Sequence, residues 1–169
     1  MKIEDIYKLE GETFAYDTET NGLHWWDNMM IGAGFHCPKL GLNGYIYTCD
    51  YEQLPYGKPK SKKVWLGEYF TNPATGRPNK LWVTQTEQKT RLTAVPNPRR
   101  QEAIAQALQH IMKNPKTCIV MHNAKFDLHF TGLDLWDLPG KLVDTSVMVH
   151  LYDSRLRKSL DESERTFLG

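Results

Sequence analysis

The stretch TCIVMHNAKFDLHF, residues 117–130, decides the fold. Its first part, TCIVM at 117–121, is a short β-branched and apolar run, the pattern of a buried and often parallel strand. HNAKFDLHF follows without a turn and reads as a helix, with Asp127 in its first turns. Working outward, KLVD at 141–144 predicts a further strand and Thr145 to about Tyr152 a further helix. Upstream, Asn97 before Pro98 is an N-cap and first-turn pair, and Ile104, Leu108, Ile111 and Met112 recur at helical spacing until Asn114-Pro115. An amphipathic helix over about 98–113 is therefore expected.

The N-terminal part has a different texture. Three extended segments, TFAYDTE at 13–19, MMIGAGFHC at 29–37 and GYIYTCD at 44–50, are joined by Asn- and Gly-rich turns, TNG at 20–22 and LGLNG at 40–44. Such short connections predict an antiparallel meander. From Tyr51 to Asn97 the composition shifts to Lys, Pro, Thr and Gly, with two expected strands, 63–70 and 80–86, around the turn-rich TNPATGRPN. This is read as a protruding hairpin arm. The order is three strands, arm, helix, strand, helix, strand, helix, an α/β pattern. At 169 residues the expectation is one domain, 1–169, with 51–97 inserted in it.

Composition narrows the class. Hydrophobic content of 40% and charged content of 24% are those of a globular chain rather than a disordered or membrane one. MKIEDIYKLEGET at the start lacks the apolar core of a signal peptide, and no run reaches transmembrane length. Cys37, Cys49 and Cys118 are odd in number and widely spaced, which fits neither a disulfide framework nor a zinc motif. A cytoplasmic location without a membrane partner is expected. The net charge of +1 hides an asymmetry: residues 1–54 carry three basic and nine acidic side chains, 55–100 ten and two, and 101–169 eight and nine. A basic middle beside an acidic front suits a polyanion next to a cation site, and equally a solvated lysine-rich loop.

The acidic front contains FAYDTETNGL, residues 14–23. Successive strand residues alternate faces, so Asp17 and Glu19 point the same way with Thr18 between them on the other side. Two carboxylates so placed repel, and water, a proton or a cation relieves them. A solvated pair at a strand end is one reading. A Mg²⁺ or Mn²⁺ site is the other, because hard divalent ions take paired oxygens.

The two stretches together resemble the DEDD (DnaQ-like) 3′-5′ exonucleases. FAYDTETNGL looks like their first motif, D-x-E, and HNAKFD like their second, H-N-x-K-x-D. The likeness is greatest to the proofreading domain of family A DNA polymerases, many of them from phages, in which a D-T dipeptide and an S-L-D-x-x-x-x-x-x-L-G run follow. Here these are LVDTSVMVHLYD and SLDESERTFLG. The resemblance covers residues 13–49 and 98–169 and leaves the arm outside. It implies a ribonuclease-H-like mixed five-stranded sheet flanked by helices. It also implies hydrolysis of terminal phosphodiesters at the single-stranded 3′ end of DNA, with two divalent ions, Mg²⁺ or Mn²⁺, as cofactors and a polymerase domain as partner in cis or trans. The cytoplasm would be bacterial, or a phage host's.

By the same resemblance, Asp17, Glu19 and Asp127 are the catalytic and metal-binding carboxylates. Thr20 faces the 3′ hydroxyl, Leu23 is an apolar wedge against the terminal base, and Asn123 contacts substrate. Leu23 reads equally as a core leucine, and Lys125 as a plain surface lysine. Asp144 matches a position that is structural in the family. Trp25 and Trp26 suit base stacking, or core or lid packing, and the spacing of His122, His129 and His150 has no metal-site logic. In the arm, Lys60, Lys62 and Lys63 are candidate nucleic-acid contacts. One element of the family pattern does not appear after LVDT: a third motif with a Tyr or His a few residues before a fourth carboxylate. Two functions of different class follow, a metal-dependent 3′-5′ exonuclease domain or a nucleic-acid-binding remnant of one. The departure leads us to expect an isolated 169-residue chain of weak activity.

Overall fold

The computed structural model describes residues 1–136 and 138–168. Gly169, the last residue of the S-L-D…L-G run, lies outside the described residues. The chain divides into two compact units, residues 1–50 with 94–169, and residues 51–93.

The first unit is built on five strands, β1 (Thr13–Thr20), β2 (Met30–Cys37), β3 (Leu42–Tyr47), β6 (Cys118–Met121) and β7 (Lys141–Asp144), in the order β3-β2-β1-β6-β7. The numbers β4 and β5 belong to the strands Cys49–Thr71 and Pro78–Pro96. β1–β2 and β2–β3 are antiparallel, β1–β6 and β6–β7 parallel. This is the mixed, ribonuclease-H-like sheet expected from the sequence. The helices are α1 (Pro98–Ile111), α2 (Ala124–Thr131), α3 (Thr145–Tyr152) and α4 (Leu160–Phe167), with short 3-10 turns at Ile3–Leu9 and Pro38–Leu40. α4 and the two 3-10 turns were not expected. α4 buries none of its residues, and its large apolar side chains, Leu160 and Phe167, stand two turns apart with Asp161, Glu162, Glu164 and Arg165 between them, so the sequence offers only two points of a stripe.

The sequence explains these elements locally. Asn97 caps α1 by accepting from the Arg100 amide, and Pro98 takes the first turn, where its missing N–H has no partner to lose. Ile104, Leu108 and Ile111 form the buried stripe of α1 and meet Phe14 and Tyr16 of β1, Phe35 of β2, and Ile119 and Met121 of β6. Each such side chain contributes about 1.5–3 kcal/mol by leaving water. Because the stripe needs the Phe14–Tyr16 face of β1, the alternate residues Ala15, Asp17 and Glu19 face outward.

In the second unit, β4 and β5 pair as a two-stranded ribbon. Both strands are far longer than the 63–70 and 80–86 expected, since Pro55, Pro59 and Gly57 read as strand breakers. Each strand of an isolated pair keeps one free edge, where proline loses no ladder bond, and glycine tolerates the left-handed φ of Gly57 and Gly67.

Candidate active site

β1 and β6 run parallel and side by side, so they end on the same side of the sheet and the segments after them meet there. Their pairing stops at Ala15↔Val120, while β1 continues to Thr20. On that flank β1 therefore has an amide at Thr18 without a strand partner. The chain leaving β6 turns through His122 and Asn123 into α2, and the Asp127 carboxylate fills the gap: its Oδ1 accepts from the Thr18 amide at 2.9 Å and the Thr18 hydroxyl at 2.6 Å. Thr131 Oγ1 donates to the Asp127 carbonyl at 2.7 Å and lies 2.5 Å from the Tyr16 hydroxyl, fixing α2 against β1. Burial, and behind it the nearby Asp127 and Asp17 charges, pushes the Tyr16 phenol up, so it stays neutral.

Asp127 thus meets β1 at the residue between Asp17 and Glu19, and it is buried whereas they face out. Burial pushes the Asp127 carboxyl above the usual carboxylate range against the pull of the Thr18 bonds, and the Asp17 charge adds to the rise. Asp17 is also raised, first because surrounding protein removes hydration and then because Glu19 repels it, with His122 pulling the other way. Opposite the pair on β2 stand Gly34, across from Asp17, and Gly32, across from Glu19, so no β2 side chain crowds the carboxylates. At Gly32 a Cβ would sit 2.4 Å from the Tyr45 hydroxyl, which excludes any larger residue without movement of that ring. A depression of about 430 Å³ opens beside Asp17, lined by Ala15, Gly34, His36, Asn43 and Tyr45 among others. A register shift between Glu19 and Thr20 marks a bulge where the strand leaves the ladder.

Thr20 Oγ1 donates to the Gly22 carbonyl at 2.7 Å, and Asn21 closes the following loop onto Met29 with bonds of 2.7 and 3.1 Å. The β1–β2 connection joins antiparallel strands, as expected from the sequence. Leu23 lies on this loop and is 80% exposed, which removes the core reading of that residue. Trp25 stacks flat on His129 of α2, centroids 5.2 Å apart at 9°, in the manner of a lid; Trp25, Trp26, Asn123, Lys125, Phe126 and His129 help line a cleft of about 360 Å³.

Asn123 adopts a left-handed φ of 63° at the N-terminus of α2, a conformation that costs free energy and that asparagine tolerates better than most residues. It is held by Asp144: Oδ1 accepts from the Asn123 amide at 3.0 Å, the Ser146 amide at 2.9 Å and the Ser146 hydroxyl at 2.7 Å, and Oδ2 from the Ala124 amide at 2.9 Å. Burial alone would raise Asp144, but these bonds together hold its carboxyl below the usual range. Asp144 is a brace, as the sequence suggested. His122 was set aside in the sequence, yet it bridges Thr145 Oγ1 (2.9 Å) and the Lys158 carbonyl (2.6 Å) close enough to Asp17 to act on its charge. Its place between β6 and Asn123 was the available signal.

In the ribbon, Lys62 is paired with Glu87, while Lys60 and Lys63 are exposed on a strand whose neighbouring residues alternate faces. The three lysines therefore do not form one contact surface.

Asp17 and Asp127 are raised by burial with neighbouring negative charge behind it, a charge imbalance of the kind that a hard divalent ion relieves. Among the described residues, no three His, Cys, Asp or Glu side chains stand in a metal-holding arrangement. Asp17 with Glu19 offers a two-carboxylate seat, and Asp127 approaches it from the other side of the strand.

The family model DNA_pol_A_exo1, described as 3′-5′ exonuclease, matches residues 74–163. The match begins in the turn of the ribbon and covers β5, α1, β6, α2, β7 and α3, hence Asn123, Asp127 and Asp144; it thus takes in the second strand of the arm, which the resemblance read from the sequence had left outside. It does not cover β1, so the placement of Asp17 and Glu19 rests on the pairing of β1 with β6. Among solved structures, Exonuclease I (apo) is similar at 13% identity with a TM-score of 0.40; the likeness covers 90% of this chain and 36% of that one. No curated protein sequence matches.

Proposed function

From the premise that the chain belongs to the 3′-5′ exonuclease family, as a DnaQ-like domain, we propose that it removes nucleoside monophosphates from single-stranded 3′ ends of DNA. The observation that carries this reading is the seating of Asp127 on Thr18, which brings the carboxylate of the H-N-x-K-x-D stretch to the D-x-E segment of β1. Asp17, Glu19 and Asp127 are the catalytic carboxylates and would hold two divalent ions, Mg²⁺ or Mn²⁺. Such ions, when bound, supply a nucleophile at neutral pH and neutralise the leaving oxygen. The chain's own residues position the DNA. Leu23, exposed on the loop after β1, packs against the terminal base, and Thr20 faces the 3′ hydroxyl. Asn123, fixed in a strained backbone state by Asp144, presents its free side chain to the substrate.

The domain is 1–169 with 51–97 as an insertion, working in the cytoplasm as the proofreading part of a DNA polymerase in cis or in trans. The fourth carboxylate of the family pattern, with its Tyr or His, is assigned to no residue of this sequence. The second reading is a nucleic-acid-binding remnant, motivated by the third motif that the sequence does not show after LVDT. Digestion of a 5′-labelled single-stranded oligonucleotide with Mg²⁺ or Mn²⁺, and with chelator, separates the two. Metal-dependent stepwise shortening from the 3′ end, abolished by Asp127→Ala, supports the exonuclease. Binding without shortening, with the Tyr- and Asp-bearing segment supplied, supports the remnant.

A further inference from the structure

The ribbon presents a built aromatic and cationic face that the exonuclease reading does not use. Lys80 Nζ lies 5.0 Å from the centroid of the Trp65 ring, and Trp65 meets Tyr69 edge-on at 5.6 Å, so the three share one face. Strand alternation then puts Trp82 on the face of Lys80, and Lys63 on that of Trp65. Between Trp65 and Tyr69, Gly67 takes a left-handed φ of +83°. A second group follows the same design: Arg91 stands over the Tyr56 ring at 5.2 Å. Trp65, Tyr69 and Trp82 are 41%, 58% and 52% exposed, a high value for side chains of this size on a soluble surface. Residues 51–93 hold eight basic and three acidic side chains.

We propose that this face of the ribbon is a binding platform for single-stranded nucleic acid, separate from the carboxylate site. Exposed aromatic rings interleaved with cations match a flexible polyanion with stackable bases: the rings take base faces and the lysines take phosphates. The charge decides against an apolar protein partner, for which Lys63 and Lys80 would have to be desolvated beside the rings without a counter-charge. It also decides against duplex DNA as the favoured occupant. In a duplex the base faces are hidden, and Trp65 and Trp82 would have nothing to stack on.

The test uses the full chain in chelator, so that no hydrolysis occurs, and fluorescence anisotropy of labelled dT20, U20 and a blunt duplex of equal length. Trp65→Ala with Trp82→Ala should weaken dT20 binding at least tenfold, since base stacking on one aromatic ring is worth about five- to 150-fold. Trp65→Phe with Trp82→Phe should recover most of it, which guards against a ribbon that simply fails to form. Lys63→Gln with Lys80→Gln should lower the slope of log affinity against log salt by about 1.4, at roughly 0.7 per phosphate on single strands. Comparison of dT20 with U20 tells DNA from RNA. Unchanged dT20 affinity in the alanine pair overturns the platform, as does equal or tighter binding of the duplex, and the ribbon would then be a protein-docking or plain charged element. Because Asp17 and Asp127 are untouched and idle in chelator, either result stands apart from the fate of the exonuclease reading.

Discussion

Asp144→Ala should destabilise the protein by about 3 kcal/mol while leaving divalent-ion binding in place. The carboxylate accepts four bonds, and they are not equal. The Asn123 amide is exposed and the Ser146 hydroxyl can rotate, so water replaces the carboxylate at both with little loss. The Ala124 and Ser146 amides are half-buried at the first turns of α2 and α3. Charge-assisted bonds are worth about 1.5–3 kcal/mol when dry, here discounted to about 1 kcal/mol each for partial exposure. Loss of a negative charge at two helix N-termini adds about 0.3–1 kcal/mol apiece. At an m-value of about 1.5–2 kcal/mol/M in urea, the midpoint should fall by roughly 1.5–2 M. Asp144→Asn should fall between, because its amide oxygen keeps the Oδ1 partners while its NH₂ group faces the Ala124 donor. The pH dependence has a definite sign. The folded pKa is held low, so the brace is present above the ordinary carboxylate pKa of about 3.9 and is lost as pH falls through the folded value. The advantage of wild type over Asp144→Asn should therefore shrink on acidification. Loss of Mn²⁺ binding with an unchanged urea midpoint would refute the brace and make Asp144 a ligand.

Three further outcomes are expected. Asp17→Ala should abolish Mn²⁺ binding in a calorimeter with the circular dichroism spectrum unchanged; retained binding would sink the site. Thr18→Val removes the hydroxyl that donates to buried Asp127, and should cost about 1.5–3 kcal/mol in urea unfolding; a neutral effect means that Asp127 is not seated there. In chelator, Asp17→Asn should melt higher than wild type at neutral pH, because a raised folded pKa means that ionisation opposes folding as pH rises through it. Below about pH 3.9 the two proteins should converge, and divalent ions should raise the melting temperature of wild type alone; a lower-melting Asp17→Asn at neutral pH would refute the repulsion argument.

What the sequence made legible was local. KLVD and the β6-to-α2 passage were readable because β-branched runs act within a few residues; TCIVM read as a buried, often parallel strand, but its pairing with β1 is a long-range contact that the run itself does not specify. The ribbon was read too short because proline and glycine were scored as they behave in the middle of a sheet, whereas β4 has a free edge. α4 was missed because its apolar face consists of Leu160 and Phe167 alone, two turns apart in an otherwise charged segment. At the site, the D-x-E alternation placed Asp17 and Glu19 on one outward face. The hold of Thr18 on Asp127 was not legible, since it spans 109 residues and depends on where β6 stops pairing. The exposure of Leu23 likewise depends on a loop closed by Asn21 and Met29, not on any pattern around the leucine.

The features that cost this fold free energy gather at one place. Asp17 and Glu19 repel across one strand face, Asp127 is a buried carboxyl raised by its surroundings, Asn123 sits in a left-handed conformation, and β1 bulges between Glu19 and Thr20. Elsewhere in the first unit, local propensity and packing agree: α1 is capped, its stripe is buried, and β1 alternates in register with it. The carboxylate repulsion is not forced by packing, because Asp17→Asn would relieve it at no steric expense. It is explained if a cation and an anionic substrate complete the charge balance there. Under the proposed function, the strain at Asn123 and the carboxylate repulsion have one origin: both hold groups in the state that a bound 3′ end would require, before it arrives.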